Sequence, residues 1–257
     1  MLHLDLTPLA LSGTLTVRAG LMRLDLAGHA LTACLIDYGQ SPGPEDRGPD
    51  APFDPAWFER LGIACPPAVA RSVPKRQAEF LFGRLAAARV LEHQGSAERA
   101  VGVGPQREPL WPAGWRGSLS HTRRYALAVA ERDRAWRGLG VDVEQVVDAA
   151  QAEAIEHGVL NPGERQRLRL TGGALPEAQV QTLVFSAKEC FYKAAYAQVG
   201  QRFGFDAADV EWIDAARQRL GLRVNLPLGG AFAPGDRFEI GFGAVDAATL
   251  FTGLALP

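Results

Sequence analysis

The sequence predicts an α+β fold. Strand-like stretches open and close the chain, and long helical stretches stand in both halves. The two do not alternate in the strict strand–helix–strand rhythm of a parallel sheet. Taken in order, 14–26 (TLTVRAGLMRLDL) and 30–38 (ALTACLIDY) read as strands from their weak apolar alternation. Residues 41–55 hold five prolines, which neither a helix nor a central strand tolerates, so they read as a long surface loop. A helix is expected over 72–95: Pro74 suits the first turn, alanines and leucines favour the interior, and Gly95 can end it. A second Pro/Gly-rich loop, 104–117, leads into 118–130, whose second half reads as a strand, and then to GVDVE at 140–144. Helices are expected over 149–160 and 162–170, a loop over 171–179, and the best helix of the chain over 180–199, stopped by Gly200. The segments 219–228, 237–245 and 249–256 return to strand.

Composition excludes several classes of function. With 27 basic and 29 acidic residues among 257, the net charge of −2 argues against a general nucleic-acid binder. No apolar run approaches the ~20 residues of a membrane span. The first seventeen residues lack a basic start and are interrupted by Asp5 and Pro8, a poor secretory signal. Cys34, Cys65 and Cys190 form no CxxC pair and fit a reducing compartment, so a cytoplasmic protein is expected.

GVDVE sets a physical problem. On a strand, Val141 and Val143 point one way while Asp142 and Glu144 point together the other way. Two like charges side by side repel. An exposed edge strand would tolerate them, and so would a divalent cation held between them. Removing Asp142 relieves that repulsion in the metal-free chain, so its loss is expected to leave stability unchanged or slightly raised. On the 180–199 helix, Glu189 and Lys193 are four apart and share a face, with Phe185, Tyr192 and Tyr196 at helical spacing around them. That is either a surface ion pair or the lining of a cleft. His121 sits in SLSHT beside Ser118, Ser120 and Thr122, with no GxSxG elbow anywhere to make a serine hydrolase. Arg76 and Arg84, eight apart, project to roughly the same side of the 72–95 helix, as solvated arginines or as a phosphate clamp.

In this order and spacing, SVPKRQAEFLFGRLAAARVL, WPAGWRGSLSHT, GVDVE and FSAKECFYKA resemble the 4′-phosphopantetheinyl transferase family, in the group found with siderophore synthetases. The likeness runs from about 71 to 206 and includes GFDAADV; residues 1–70 and the C-terminal strands match only loosely. Cys190 stands where the family commonly has serine or alanine, and Phe185 where many members have tryptophan.

The resemblance implies two similar α+β halves packed pseudo-symmetrically in one monomeric chain, 1–138 and 139–257, with the active site in the cleft between them. It implies transfer of the phosphopantetheine arm of coenzyme A to a serine of an apo carrier protein (acyl, peptidyl or aryl), releasing 3′,5′-ADP. Asp142, Glu144 and Glu189 are then the ligands of Mg²⁺ or Mn²⁺. Glu189 is the base, and Lys193 serves the leaving phosphate. Arg76 and Arg84 approach the 3′-phosphate of coenzyme A, Ser120 and His121 lie near the nucleotide, and Lys75 and Arg107 are further cofactor contacts. Carrier domains of this kind are typically acidic, so GERQRLRL, with Arg165 and Arg169 on one helical face and Arg167 beside them, is a candidate docking surface. Two rival readings of the same residues are a Mg²⁺-dependent nucleotide phosphohydrolase and a non-catalytic coenzyme A or carrier-binding protein.

Overall fold

The computed structural model describes residues 6–11, 15–26, 28–39, 53–134, 136–171 and 175–257; for 8–11, 15–16 and 169–171 it describes the backbone alone. Most of the proline-rich stretch 41–55, the first five residues and part of the expected 171–179 loop lie outside these residues. Helices and antiparallel strand pairs are mixed throughout, the α+β class that the sequence predicts. The chain forms two compact units. One contains Thr32–Arg132 with the preceding segment to Arg23, the other Leu24–Leu31 with Asp133–Pro257.

The first unit centres on a five-stranded sheet in the order β1 (Thr7–Leu11), β2 (Leu15–Leu26), β3 (His29–Asp37), β7 (Tyr125–Arg132), β6 (Trp115–His121). Short helices α1 (Ala56–Arg60) and α2 (Pro67–Ala70) precede the long α3 (Pro74–His93), and the small hairpin of β4 (Gly102–Val103) and β5 (Pro109–Leu110) follows it. Val73 is extended and Pro74 occupies the first helical turn of α3. The far end closes at Gln94, with Gly95 at φ 76°. Leu81, Phe82, Leu85, Val90 and Leu91 of α3 share one core with Ala126, Ala128 and Ala130 of β7. Three alanines on the facing strand let the helix lie close to the sheet. Each large side chain so buried contributes about 1.5–3 kcal/mol.

The second unit holds an antiparallel sheet in the order β8 (Gly138–Gln145), β12 (Thr249–Leu256), β11 (Arg237–Asp246), β10 (Arg219–Val224), β9 (Ala208–Asp214). Helices α4 (Ala149–Gly158), α5 (Pro162–Thr171) and α6 (Glu177–Val199) complete it. Asp148 and Gln151 form a reciprocal capping box at the start of α4. Gly200, at φ 69°, ends α6 in the left-handed conformation that glycine adopts without penalty.

Several elements differ from the sequence reading. SLSH, read there as the approach to a strand, is itself strand: β6 runs through it and pairs with β7 from Trp115↔Arg132 to His121↔Ala126. Thr122 makes the intervening turn, its Oγ1 accepting from the backbone N–H groups of Arg124 (3.1 Å) and Tyr125 (2.9 Å). α6 starts at Glu177, three residues before the expected 180. β9 forms from ADVEWID, for which the sequence reading expects no strand and of which only the first three residues belong to GFDAADV. Among the described residues no helix is long and apolar enough to cross a membrane.

Candidate active site

β8 is an edge strand, yet GVDVE is not its solvated face. Val141 and Val143 are fully buried on one side, and Asp142, only 2% exposed, points to the other. That other side is covered by α6. A Cβ at Gly138 would lie 2.0 Å from the Ala194 carbonyl oxygen, and one at Gly140 2.0 Å from that of Cys190. Glycine at both positions is therefore what lets the helix backbone rest on the strand. Two residues further along the same face come Asp142 and then Glu144. The close approach brings them to the helix face carrying Glu189 and Lys193.

The Lys193 ammonium donates to Asp142 Oδ1 at 2.6 Å and to the Val141 carbonyl at 3.3 Å. Burial pushes Glu144 up to about 8, reinforced by the charges of Asp142 and Glu189 and opposed by Lys193. Glu189 is also raised, first by burial and then by Asp142, against the pull of Lys193. For Lys193 itself burial is the largest influence and acts downward. Asp142, by charge and hydrogen bond, and then Glu189 outweigh it, so the ammonium is held above its usual range. Three carboxylates and one ammonium thus share a site in which burial favours the protonated forms of Glu144 and Glu189. Among the described residues no three acidic, histidine or cysteine side chains stand already converged on a metal position. The donor chemistry suits a hard divalent cation; the ion pair of Asp142 with Lys193 occupies one of the oxygens that such a cation would use. The ion pair also overturns the expectation that Asp142 could be removed at no cost to stability, because its loss would strip the ammonium of its counter-charge.

In the first unit, Arg76, Glu79, Phe80 and Arg84 of α3 and Leu119 and His121 of β6 line a cavity of about 280 Å³, with Arg107 on the hairpin side. Glu79 lies 3.5 Å from Arg76, 3.6 Å from Lys75 and 3.9 Å from His121 Nδ1, while Arg76 Nη1 donates to His121 Nε2 at 3.2 Å. Arg84 is 7% exposed, stacks over Phe80 and donates through Nη2 to the Gly102 carbonyl at 3.0 Å. Its Nε is buried and finds no acceptor among the described residues. Burial and then the charge of Arg76 bring Arg84 down to about 10. Arg76, Arg84, Arg107 and His121 are brought to one cavity. Ser120 is not, because strand alternation puts it on the face opposite Leu119 and His121. Lys75 stays outside the lining, half-exposed beside Glu79.

Sequence reasoning missed a buried hub beside Glu189. The Lys188 ammonium donates to Glu164 Oε2 (2.8 Å), the Val159 carbonyl (2.8 Å) and the Phe205 carbonyl (3.2 Å), while Glu164 Oε1 accepts from Val210 N–H at 2.6 Å. Both partners are buried, and together they tie α6 to the start of α5, the end of α4 and the start of β9. The available signal was the capping pattern Asn161–Glu164 at the head of α5. A cavity of about 330 Å³ opens next to the hub, lined by Glu189, Tyr192, Arg202, Phe203 and Phe205 together with Lys188 and Gly204. Phe185 packs against Phe205 instead of lining it. Cys190 is fully buried, its thiol pushed far up by burial and its Sγ donating to the Gly140 carbonyl at 3.2 Å, so it acts as a packing residue. On α5, Arg165 pairs with Glu156 (3.5 Å) and Arg167 with Asp209 (2.9 Å); the Arg169 side chain lies outside the described residues.

Residues 66–131 match the family model described as the 4′-phosphopantetheinyl transferase N-terminal domain, and 138–233 match that of the 4′-phosphopantetheinyl transferase superfamily. The chain is 41% identical over 149 residues to enterobactin synthase component D of Salmonella typhi, covering 58% of this chain and 60% of that protein. It is 34% identical over 163 residues to enterobactin synthase component D of Escherichia coli K12, covering 62% and 75%. It is 34% identical over 142 residues to the 4′-phosphopantetheinyl transferase Npt of Nocardia iowensis, covering 55% and 62%. A relative of Escherichia coli O157:H7, again enterobactin synthase component D, is 36% identical over 75% of its length.

Proposed function

Because the chain belongs to the 4′-phosphopantetheinyl transferase superfamily, we propose that it transfers the phosphopantetheine arm of coenzyme A to a serine of an apo carrier protein, releasing 3′,5′-ADP. The observation that carries this reading is the packing of α6 on the GVDVE face, which gathers Asp142, Glu144, Glu189 and Lys193. Asp142, Glu144 and Glu189 would hold a divalent cation, Mg²⁺ or Mn²⁺. When bound, it would supply positive charge at the pyrophosphate oxygens.

The side chains support each remaining role. Burial raises the proton affinity of Glu189, which suits it to take the proton of the attacking serine hydroxyl. Lys193, one turn along and firmly protonated, offers a charge and a proton to the leaving phosphate. The aromatic cavity beside Glu189 suits the elongated, partly apolar arm. Arg76 and Arg84, with His121 and Glu79 in the same lining, form a candidate pocket for the 3′-phosphate. Two mutually repelling guanidiniums and a buried Nε without an acceptor among the described residues favour an anion there. Arg107 contributes from the hairpin, and Lys75 and Ser120 are weaker contacts, given their places outside that cavity. The same reading makes the chain a cytoplasmic monomer, consistent with its three free cysteines.

The test is to incubate the protein with coenzyme A, Mg²⁺ and a panel of apo acyl, peptidyl and aryl carriers and to weigh the products. A gain of one phosphopantetheine arm on a carrier supports the transferase. Nucleotide or phosphate release without any carrier would indicate a phosphohydrolase, and coenzyme A binding without turnover a non-catalytic binder.

A further inference from the structure

We infer that Lys193 is the internal counter-cation of Asp142 in the metal-free chain, and that a divalent cation and this ammonium compete for one carboxylate. The inference rests on the metal reading above and adds a role for the lysine before any substrate arrives. Asp142 is 2% exposed, where an ionised carboxylate is costly unless it is paired and hydrogen-bonded. Its Oδ1 accepts from Lys193 Nζ at 2.6 Å, a short charge-assisted contact. Nζ is held from the other side by the Val141 carbonyl at 3.3 Å, so the ammonium sits against the strand, inside the acidic cluster. The lysine side chain is 25% exposed and flexible, which leaves it a route outward.

With Asp142, Glu144 and Glu189 ionised, one ammonium leaves the cluster two charges negative. A divalent cation can satisfy more of that charge than the lysine does. It must, however, share with the lysine a carboxylate whose Oδ1 the ammonium holds, and tolerate that ammonium nearby. The exchange frees Lys193 to turn toward a phosphate. One residue thereby keeps the empty site folded and becomes a phosphate contact once the site is loaded.

The experiment measures Mn²⁺ affinity by calorimetry at mildly alkaline pH, without coenzyme A, for the wild type, Lys193→Met and Asp142→Asn, with circular dichroism as the folding control. Lys193→Met should bind Mn²⁺ more tightly, by about tenfold or more, because a positive charge next to the cation has gone. Asp142→Asn should bind it at least about tenfold more weakly. If Asp142→Asn weakens binding while Lys193→Met matches the wild type or falls below it, the exchange is wrong and the metal assignment stands. If the wild type binds no Mn²⁺, or Asp142→Asn binds it unchanged, both are wrong. Should Lys193→Met misfold, the wild type decides alone. The chain has three lysines, Lys75, Lys188 and Lys193, so acylation of each amine can be followed by mass spectrometry. Mg²⁺ should speed labelling of Lys193 relative to half-exposed Lys75; an unchanged ratio overturns the proposal.

Discussion

Glu189 and Lys193 sit one helical turn apart, but what each does depends on Asp142 across from them on the strand. Burial raises Glu189 and Asp142 adds to it against Lys193, which makes Glu189 a better proton acceptor. Burial lowers Lys193, but Asp142 and Glu189 outweigh it and make it a more persistent cation. If Glu189 is the base, Glu189→Gln keeps size and hydrogen bonding but should cut single-turnover transfer, at saturating coenzyme A and Mg²⁺, by about 10²–10⁴. A rate within about twofold of the wild type would remove it from that role. Glu144 makes a separate prediction about pH. Folded, it titrates at about 8; its ordinary value is 4.5. Between those values the folded chain holds a proton that the unfolded chain has released, so stability is fully present below the window and is lost as pH rises through about 8. Glu189 and Glu164, also raised, act in the same sense. In chelator, the urea midpoint should therefore fall between about pH 5 and about pH 9, and Glu144→Gln should shrink that fall. An identical fall in the variant would show that Glu144 does not contribute.

At the scale of elements, α6 is held by two different devices. Toward β8 it relies on glycine, which gives van der Waals contact along the backbone. Toward α5 and β9 it relies on the buried Lys188–Glu164 pair, which joins five polar groups. Removing one partner of a buried pair leaves the other charge stranded. Lys188→Met should cost about 3–5 kcal/mol of unfolding free energy, and Lys188→Met with Glu164→Gln should recover part of it. A loss under about 1 kcal/mol would mean that water reaches the hub. On α5 the basic surface is narrower than the sequence suggests, because Arg167 is committed to Asp209. We expect charge reversal of Arg165 and Arg169 to raise the KM for the carrier and leave that for coenzyme A unchanged. An unaltered carrier KM would end the docking role.

For the whole molecule, the division into units does not follow chain order. β2 begins in the unit built on α3 and ends, at Leu24–Leu26, in the unit built on α6. Leu24 and Leu26 are 1% and 0% exposed, and a Cβ on Gly253 of β12 would lie 2.1 Å from Leu26. The C-terminal sheet therefore depends on a hairpin more than a hundred residues earlier. A fragment comprising 133–257 should lack the cooperative thermal transition of the full chain and bind a hydrophobic dye. A fragment melting at the full chain's temperature would show that the hairpin is dispensable.

The sequence by itself determined the α+β class, the span of α3, the body of α6 and the shared face of Asp142 and Glu144. Each follows from local rules: proline at a helix start, glycine at its end, and a period of two along a strand. It also carried the family, through motifs whose order and spacing survive in the chain. Only the tertiary structure decided that both faces of β8 are buried, that Ser120 turns away from the cavity of His121, and that Lys188 is a buried hub beside Glu189. It alone put Lys193 on Asp142, 51 residues away along the chain. Periodicity states which residues share a face, but not what covers that face. What covers it depends on how closely two distant elements can approach, and here Gly138 and Gly140 set that distance.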